Sequence, residues 1–249
     1  MISILVVISH FFAVPSVALT GHDVMANVYN ESKKKSTRSA VVDMRITDNR
    51  QRERVRYFNY VTKFSEDHEK SLIKFFRPKD IKGTGLFTQS STDQKEKEQW
   101  VYFPALKSLK QLNASDKNKS FMGSDFTYAD IAGRPLTADT HQLIKESPDY
   151  YYIESIPLDK KSDDYAKIRY VISKQYNVIA NAVFYDANGE KIKTLKNTAI
   201  STINDVHVVM HSEMVNHQTA GKTVLVVQSM TVGDPVDDAV LSFQGLKTQ

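Results

Sequence analysis

The sequence predicts a mainly β (α+β) chain of one domain, and three observations predict it. Apolar and polar residues alternate with period two through most of the stretch from Ser39 to Val232, between clusters of Gly, Pro, Asn and Asp. Helical spacing of apolar residues shows only in short pieces. Many predicted strands also carry apolar groups on both faces, as at Tyr57-Phe58, Leu72-Ile73, Val183-Phe184 and Val224–Val227. A sheet with one wet face alternates cleanly. Here the second face must be covered by a helix or line a cavity.

The chain of 249 residues is long enough for a real core, and no repeat, linker or low-complexity tract divides it. It is 41% hydrophobic and 25% charged, with twelve Tyr and twelve Phe. The net charge of +4 is mild, and Lys33-Lys34-Lys35 is its one tight basic cluster, read as a solvated run. No nucleic-acid motif accompanies it, so no nucleic-acid partner is expected.

Met1–Ala18 contains no Lys, Arg, Asp or Glu and is mostly apolar. Ser16 and Ala18 stand at the −3 and −1 positions of a cleavage site, so residues 1–18 are expected to be a signal peptide and 19–249 the mature domain. The positive n-region is missing, which places the expected true start upstream. A membrane anchor needs about 20 apolar residues, and this run is shorter and meets Pro15. With no cysteine, the chain has no disulfide and no site for a lipid anchor. A free, monomeric protein of a bacterial periplasm is expected.

In chain order, Val24, Met25, Val28 and Tyr29 fall at helical spacing in Gly21–Glu31, with Asp23 as its cap or first-turn acid. From Ser39 the period becomes two, with Ala40, Val42, Met44 and Ile46 on one face. Asp48-Asn49-Arg50 turns into a second strand, Glu53–Phe64, and His68–Arg77 is the third. Gly83 and Gly85 sit in a loop that opens a fourth strand; the loop has no Gly-Lys-Ser/Thr ending and no following helix, so it is no phosphate cradle. Thr92–Glu98 is a charged hairpin tip, and Gln99–Leu106 is a strand closed by Pro104. The polar loop Asn113–Ser120 precedes Phe121–Asp130, where large apolar side chains surround Gly123-Ser124-Asp125. Such a loop must fold back onto apolar surface. Beyond the break at Gly133–Leu136, hairpins are expected at His141–Ser147 with Tyr150–Pro157, and at Ala166–Ser173 with Asn177–Tyr185. Asp186–Gly189 supplies an Asn-Gly turn. Lys191–Ile203, Val206–Asn216 and Lys222–Val232 follow as a meander, and Asp237–Phe243 as a turn of helix.

No catalytic constellation assembles. Gly123-Ser124-Asp125 is not a nucleophile elbow, having no helix pattern after it. His207 and His211 would lie about 13 Å apart on a strand, too far to share an ion. His211 and Glu213 face one way but lack a third ligand, so no metal and no cofactor are expected. Asp125 and Asp130 flank aromatics and read as caps of a turn or of a short helix beginning near Thr127.

Three motifs, Arg77–Thr88, Trp100–Leu106 and Phe121–Asp130, in this order and spacing, closely resemble the outer-membrane lipoprotein-sorting family. These are the LolA/LolB-like periplasmic proteins, often associated with RND-type transporters. The resemblance spans about residues 22–246. It implies a strongly curved antiparallel sheet of about eleven strands, forming an incomplete β-barrel with short helices over its open side. It also implies a hollow that holds acyl chains of lipids or lipoproteins, and no enzymatic activity.

Burying one CH₂ is worth about 0.8 kcal/mol, so a long acyl chain represents on the order of 10 kcal/mol that water does not supply. A carrier therefore needs a dry cavity and a lid. Phe58, Trp100, Tyr102, Phe121, Met122 and Phe126 are the expected lipid-contacting walls. Val24 and Val28 of the first helix, with Gly123, Ser124 and Asp125 of the central loop, are the expected lid. Lipid acyl chains or a lipoprotein, and an inner-membrane RND-type transporter, are the expected partners. The alternative is a non-catalytic interaction module whose apolar groove docks a transporter or another periplasmic protein.

Overall fold

The computed structural model describes residues 18–91, 97–160 and 163–248. The expected signal peptide, but for Ala18, and most of the hairpin tip at 92–98 lie outside the described residues. Thirteen strands form one antiparallel sheet. A first meander comprises β1 (Thr37–Thr47), β2 (Glu53–Phe64), β3 (His68–Arg77), β4 (Gly85–Ser91), β5 (Glu98–Phe103) and β6 (Ser108–Gln111). A second comprises β7 (Asp139–Glu146), β8 (Tyr150–Pro157), β9 (Lys167–Ser173), β10 (Val178–Tyr185), β11 (Lys191–Ile203), β12 (Val206–Asn216) and β13 (Gly221–Val232). The two meet where β1 pairs with β13. β6 and β7 are the two edges and do not pair with each other, so the sheet curves without closing.

The expected count of about eleven strands is corrected to thirteen. β6 was illegible because Ser108-Leu109-Lys110-Gln111 is four exposed residues with no apolar alternation. It is reached through Lys107 in a left-handed conformation, φ 46°. The C-terminal helix is also displaced from its expected place. It spans Phe243–Lys247, because the Ser242 hydroxyl accepts from Gly245 N (3.0 Å) and starts it there. Residues 233–242 form an irregular strap instead.

Register shows why both faces are apolar. On the inner face, Ile153, Tyr170, Ala182, Leu195, Met214, Thr223 and Ile46 stand side by side across seven strands. Val42, Phe58 and Phe75 continue that face across β1–β3. On the outer face, Val61, Leu72, Phe87 and Trp100 make a second apolar row across β2–β5. The C-terminal strap covers this row, with Leu241 and Leu246 fully buried against Leu72 and Phe87.

The helix α1 (Gly21–Lys33) lies on the inner side against β7 and β12. Its start is a capping box: Asp23 N donates to the Thr20 hydroxyl (3.1 Å), and Thr20 N donates to the Asp23 carboxylate (2.9 Å). Val24 is buried among Ile153, Tyr170 and Phe184. Glu31, also buried, accepts from His207 N at 2.8 Å and pairs with Lys34 at 2.6 Å. Gly21 permits this docking, since a Cβ there would stand 2.6 Å from backbone atoms of Gln142 and Leu143 in β7.

Gly21→Ala should therefore lift α1 from β7 and cost about 1–3 kcal/mol, the range for overpacking. Denaturant unfolding and amide exchange across residues 21–33 check this. Unchanged stability with unchanged exchange would show that α1 is not held by that contact.

Candidate lipid-binding site

Residues 112–138 cross the inner face from edge β6 to edge β7. Within this crossover, Asn113 caps α2 (Ala114–Lys117) by accepting from Asp116 N at 2.9 Å. Thr127 caps α3 (Tyr128–Ala132) through a capping box with Asp130. Between them, Met122 and Gly123 take left-handed φ values of 51° and 74° and reverse the chain. Phe121 N then donates to Phe126 O at 2.8 Å.

The reversal sends two phenylalanines into different halves of the inner core. Phe121 is 1% exposed and stacks against Phe75 (5.7 Å between centroids) and Tyr128 (5.4 Å). Phe126 enters the β8–β12 half beside Tyr165 and Phe184.

Polar groups fasten the crossover to the sheet. Asp125 N donates to the Thr223 hydroxyl (2.9 Å), which donates in turn to the Asp125 carboxylate (2.7 Å). Burial pushes the Asp125 carboxyl above its usual range, against the opposing pull of Thr223 and Lys193. The Tyr165 hydroxyl donates to Asp130 (3.0 Å) and accepts from Lys193 Nζ (2.9 Å), while Lys193 and Asp130 stand 3.4 Å apart. Burial, and then the Asp130 charge, push the Tyr165 phenol well up, so it remains a donor. Arg134 grips Asp139 with two hydrogen bonds (2.9 and 2.5 Å) and pairs with Asp163 at 2.7 Å. Burial alone would lower the Arg134 pKa, but these carboxylates outweigh it and raise it. On the other side, Gln99 Nε2 donates to Tyr128 O at 3.0 Å, and Lys97 Nζ to Ala132 O at 2.7 Å.

Where the crossover faces the β8–β9 connection, a cavity of about 410 Å³ remains. Its walls include Ala129, Ala132, Ala138, Pro135, Pro157 and Leu158, with Arg134, Asp163 and Tyr165 among the polar groups. A smaller, more polar cavity of about 330 Å³ lies beside it, lined by Asp125, Phe126, Tyr165 and Lys193.

The expected lipid-contacting residues do not form one pocket. Phe58, Phe121 and Met122 belong to the β1–β5 half of the inner core, and Phe126 to the β8–β12 half. Trp100 and Tyr102 lie on the outer face beneath the C-terminal strap, where Trp100 meets Phe243 edge-on at 5.0 Å. None of the six lines the 410 Å³ cavity. Along the crossover that cavity is lined mainly by small or turn-forming residues, among them Ala129, Ala132, Gly133, Pro135 and Ala138, and not by the aromatic bulk on which the expectation rested. Val24 and Val28 pack into the β8–β12 half. Gly123 lies near the Arg54 guanidinium, and Ser124 is buried, its hydroxyl donating to Phe126 O at 3.3 Å. His211 Nδ1 lies 2.8 Å from the Thr198 hydroxyl, and Glu213 3.5 Å from Lys222 Nζ. Among the described residues no group of three metal-ligating side chains converges.

An unclosed antiparallel half-barrel, crossed on its inner face by helices that leave a cavity, defines the LolA-like class of fold. The structure is similar to a putative outer membrane lipoprotein-sorting protein domain from Vibrio parahaemolyticus. The TM-score is 0.83 at 25% identity, over 92% of this chain and 98% of that one. A DUF1329 family protein from Desulfovibrio piger matches at TM-score 0.85 and 23% identity, over 91% and 97% of the two chains. A LolA superfamily protein from Nitrosomonas europaea matches at 0.69 and 19%, over 90% and 98%. A family model described as that of an uncharacterized protein matches residues 67–248. A search of curated proteins finds no match. The chain belongs to the family of that model, and its fold is that of the LolA-like proteins.

Two predictions follow from the fasteners. Lys193→Met leaves Asp130 buried without its cation and should cost about 3 kcal/mol in denaturant unfolding. Adding Asp130→Asn should recover part of that loss; a double variant no better than Lys193→Met would show that the pair is not coupled. For Asp125 the folded pKa is raised, so its charged form is disfavoured in the fold. The penalty is absent below the ordinary value of 3.8, grows as pH rises through the folded pKa, and is complete above it. Asp125→Asn keeps an acceptor for Thr223 and should match or exceed the wild type's stability at pH 7. Lower stability at pH 7, with equal stability in acid, would contradict this.

Proposed function

We propose that the protein is a periplasmic carrier that holds the acyl chain of a lipid or lipoprotein in the cavity between the crossover and the β8–β9 connection. Residues 1–18 export it, and it passes its cargo towards the outer membrane, alongside an RND-type transporter. The observation that carries this reading is the 410 Å³ cavity at the open side of a sheet whose edges do not pair. Its volume falls within the range of about 300–1,000 Å³ for pockets that take one small ligand. Its position lets a chain enter without any strand pair breaking. The likeness to the putative lipoprotein-sorting domain from Vibrio parahaemolyticus supports the same reading.

Loading and release both require the crossover to move as a unit. Phe121 and Phe126 are buried in separate halves, so a lid made of Gly123–Asp125 alone would have to withdraw both rings. The polar fasteners offer an easier course, because hydrogen bonds to water replace those they lose. β6, at the start of the crossover, is four exposed residues paired only with β5, so that end is weakly held.

The test is binding of a fluorescent fatty acid and of a triacylated lipopeptide to the purified mature chain. Ala129→Trp, which fills the cavity from α3, should weaken both by about tenfold or more, the equivalent of 1.4 kcal/mol. The unfolding midpoint should stay close to that of the wild type. Full affinity in a folded Ala129→Trp protein would move the cargo elsewhere, and no binding by the wild type would sink the carrier reading.

A further inference from the structure

The largest of the cavities described lies on the opposite side of the sheet. It measures about 610 Å³ and sits between the outer face of β1–β3 and β13 and the C-terminal strap. Val41, Val61 and Leu72 form its floor, and Ala239, Val240 and Gln244 its roof. Register puts the floor side chains outward: Val61 pairs with Leu72 in the row that runs on to Phe87 and Trp100, and Val41 stands opposite Asn59. This space is therefore separate from the inner core and from the 410 Å³ cavity beside the β8–β9 connection.

The strap is tied down at both sides of the cavity. Towards β4 and β5, Leu241 and Leu246 are buried and Phe243 packs edge-on against Phe87 (5.4 Å) and Trp100 (5.0 Å). Towards the sheet centre, Asp238 pairs with Lys63 at 2.6 Å, and the Thr37 hydroxyl donates to Asp234 O at 2.5 Å. Between these ties the chain stands away from β1 and β13. A gap walled by Val, Leu and Ala attracts an apolar chain more strongly than water.

One charged side chain lines this cavity. Lys74 lies on β3 opposite Asn59, and no carboxylate side chain among the described residues faces its ammonium. It donates instead to Gly245 O at 2.9 Å and to Thr248 O, two carbonyls at the end of the strap. Desolvation lowers its pKa, the mark of a cation short of a counter-charge. A partly buried cation that, among the described residues, meets carbonyl dipoles favours a full negative charge beside it.

We infer that this outer cavity is a second ligand site, which takes one single-chain anionic amphiphile with its chain between Val41, Val61 and Val240 and its headgroup on Lys74. A carboxylate or a phosphate satisfies the same chemistry. The C-terminal strap is the cover of this site, and a bound headgroup takes over the donors that Lys74 gives to Gly245 and Thr248.

Photo-crosslinking tests this on the full mature chain, with a diazirine-bearing palmitate, the matching alcohol, and a single-chain lysophosphatidate analogue. Peptide mapping should find wild-type label from both anionic probes on the β1–β3 floor and on residues 239–244. Val41→Trp should abolish it, and Lys74→Met should weaken the anionic probes about tenfold while leaving the alcohol unchanged. The stronger of the two anionic probes identifies the headgroup as carboxylate or phosphate. Should Val41→Trp fail to fold, Val240→Trp fills the same space from the exposed strap. Wild-type protein without label on floor or strap, or label that persists in the folded tryptophan variant, overturns the inference. Label at Pro157 and Leu158 alone would also overturn it while supporting the 410 Å³ inner cavity as cargo site; label on the outer floor alone would do the reverse.

Discussion

A curved sheet that does not close cannot cover its own inner face. In a closed barrel the opposite wall does that work. Here β6 and β7 stay apart, so the apolar row from Ile153 to Ile46 must be covered by chain that is not part of the sheet. α1 and the crossover supply that cover, and the rest of the architecture follows from them. Gly21 exists to let α1 approach, and the Met122–Gly123 reversal exists to deliver Phe121 and Phe126 to separate halves.

The cover is held by two kinds of force with different consequences. The phenylalanine rings contribute apolar burial, which is strong and non-directional. Asp130, Tyr165 and Lys193, with Arg134 and its two carboxylates, contribute direction instead. Paired charges in a partly buried site add little net stability, yet leaving one unpaired is costly. Such groups specify where the crossover sits more than how tightly. In the carrier reading proposed above, a cover that is located accurately and still movable suits the uptake and release of cargo.

Local chemistry was legible in the sequence, and long-range geometry was not. β2 and β3 were readable to the residue because local breaks bound them, the turn at Asp48–Arg50 before β2 and Pro78 after β3. The cap at Thr127 was readable because Thr, followed three residues later by Asp, is a sufficient local signal. β6 carried no signal, since four exposed residues are a strand only by virtue of pairing with β5. The candidate residues divide between the two faces of the sheet for a related reason. Trp100 and Phe121 look alike as aromatic bulk, but a strand alternates its faces and no local pattern tells which face is inside. The cavity is an absence of side chains around Ala129 and Ala132, and an absence leaves a faint mark in a sequence. The resemblance to lipoprotein-sorting proteins supplied the curvature and the open side that the residues alone left undecided.

The joint between β1 and β13 governs how the molecule is made. Thr37 and Asp234, bonded beside that joint, are 197 positions apart. Each meander is assembled from neighbouring hairpins, but the joint between them closes almost the whole chain into one loop, at an entropic cost recovered only when both meanders are present. The first meander cannot find its central neighbour until the last strand has left the ribosome. The topology itself thus delays the native state until the whole polypeptide is available, whichever hairpins form first.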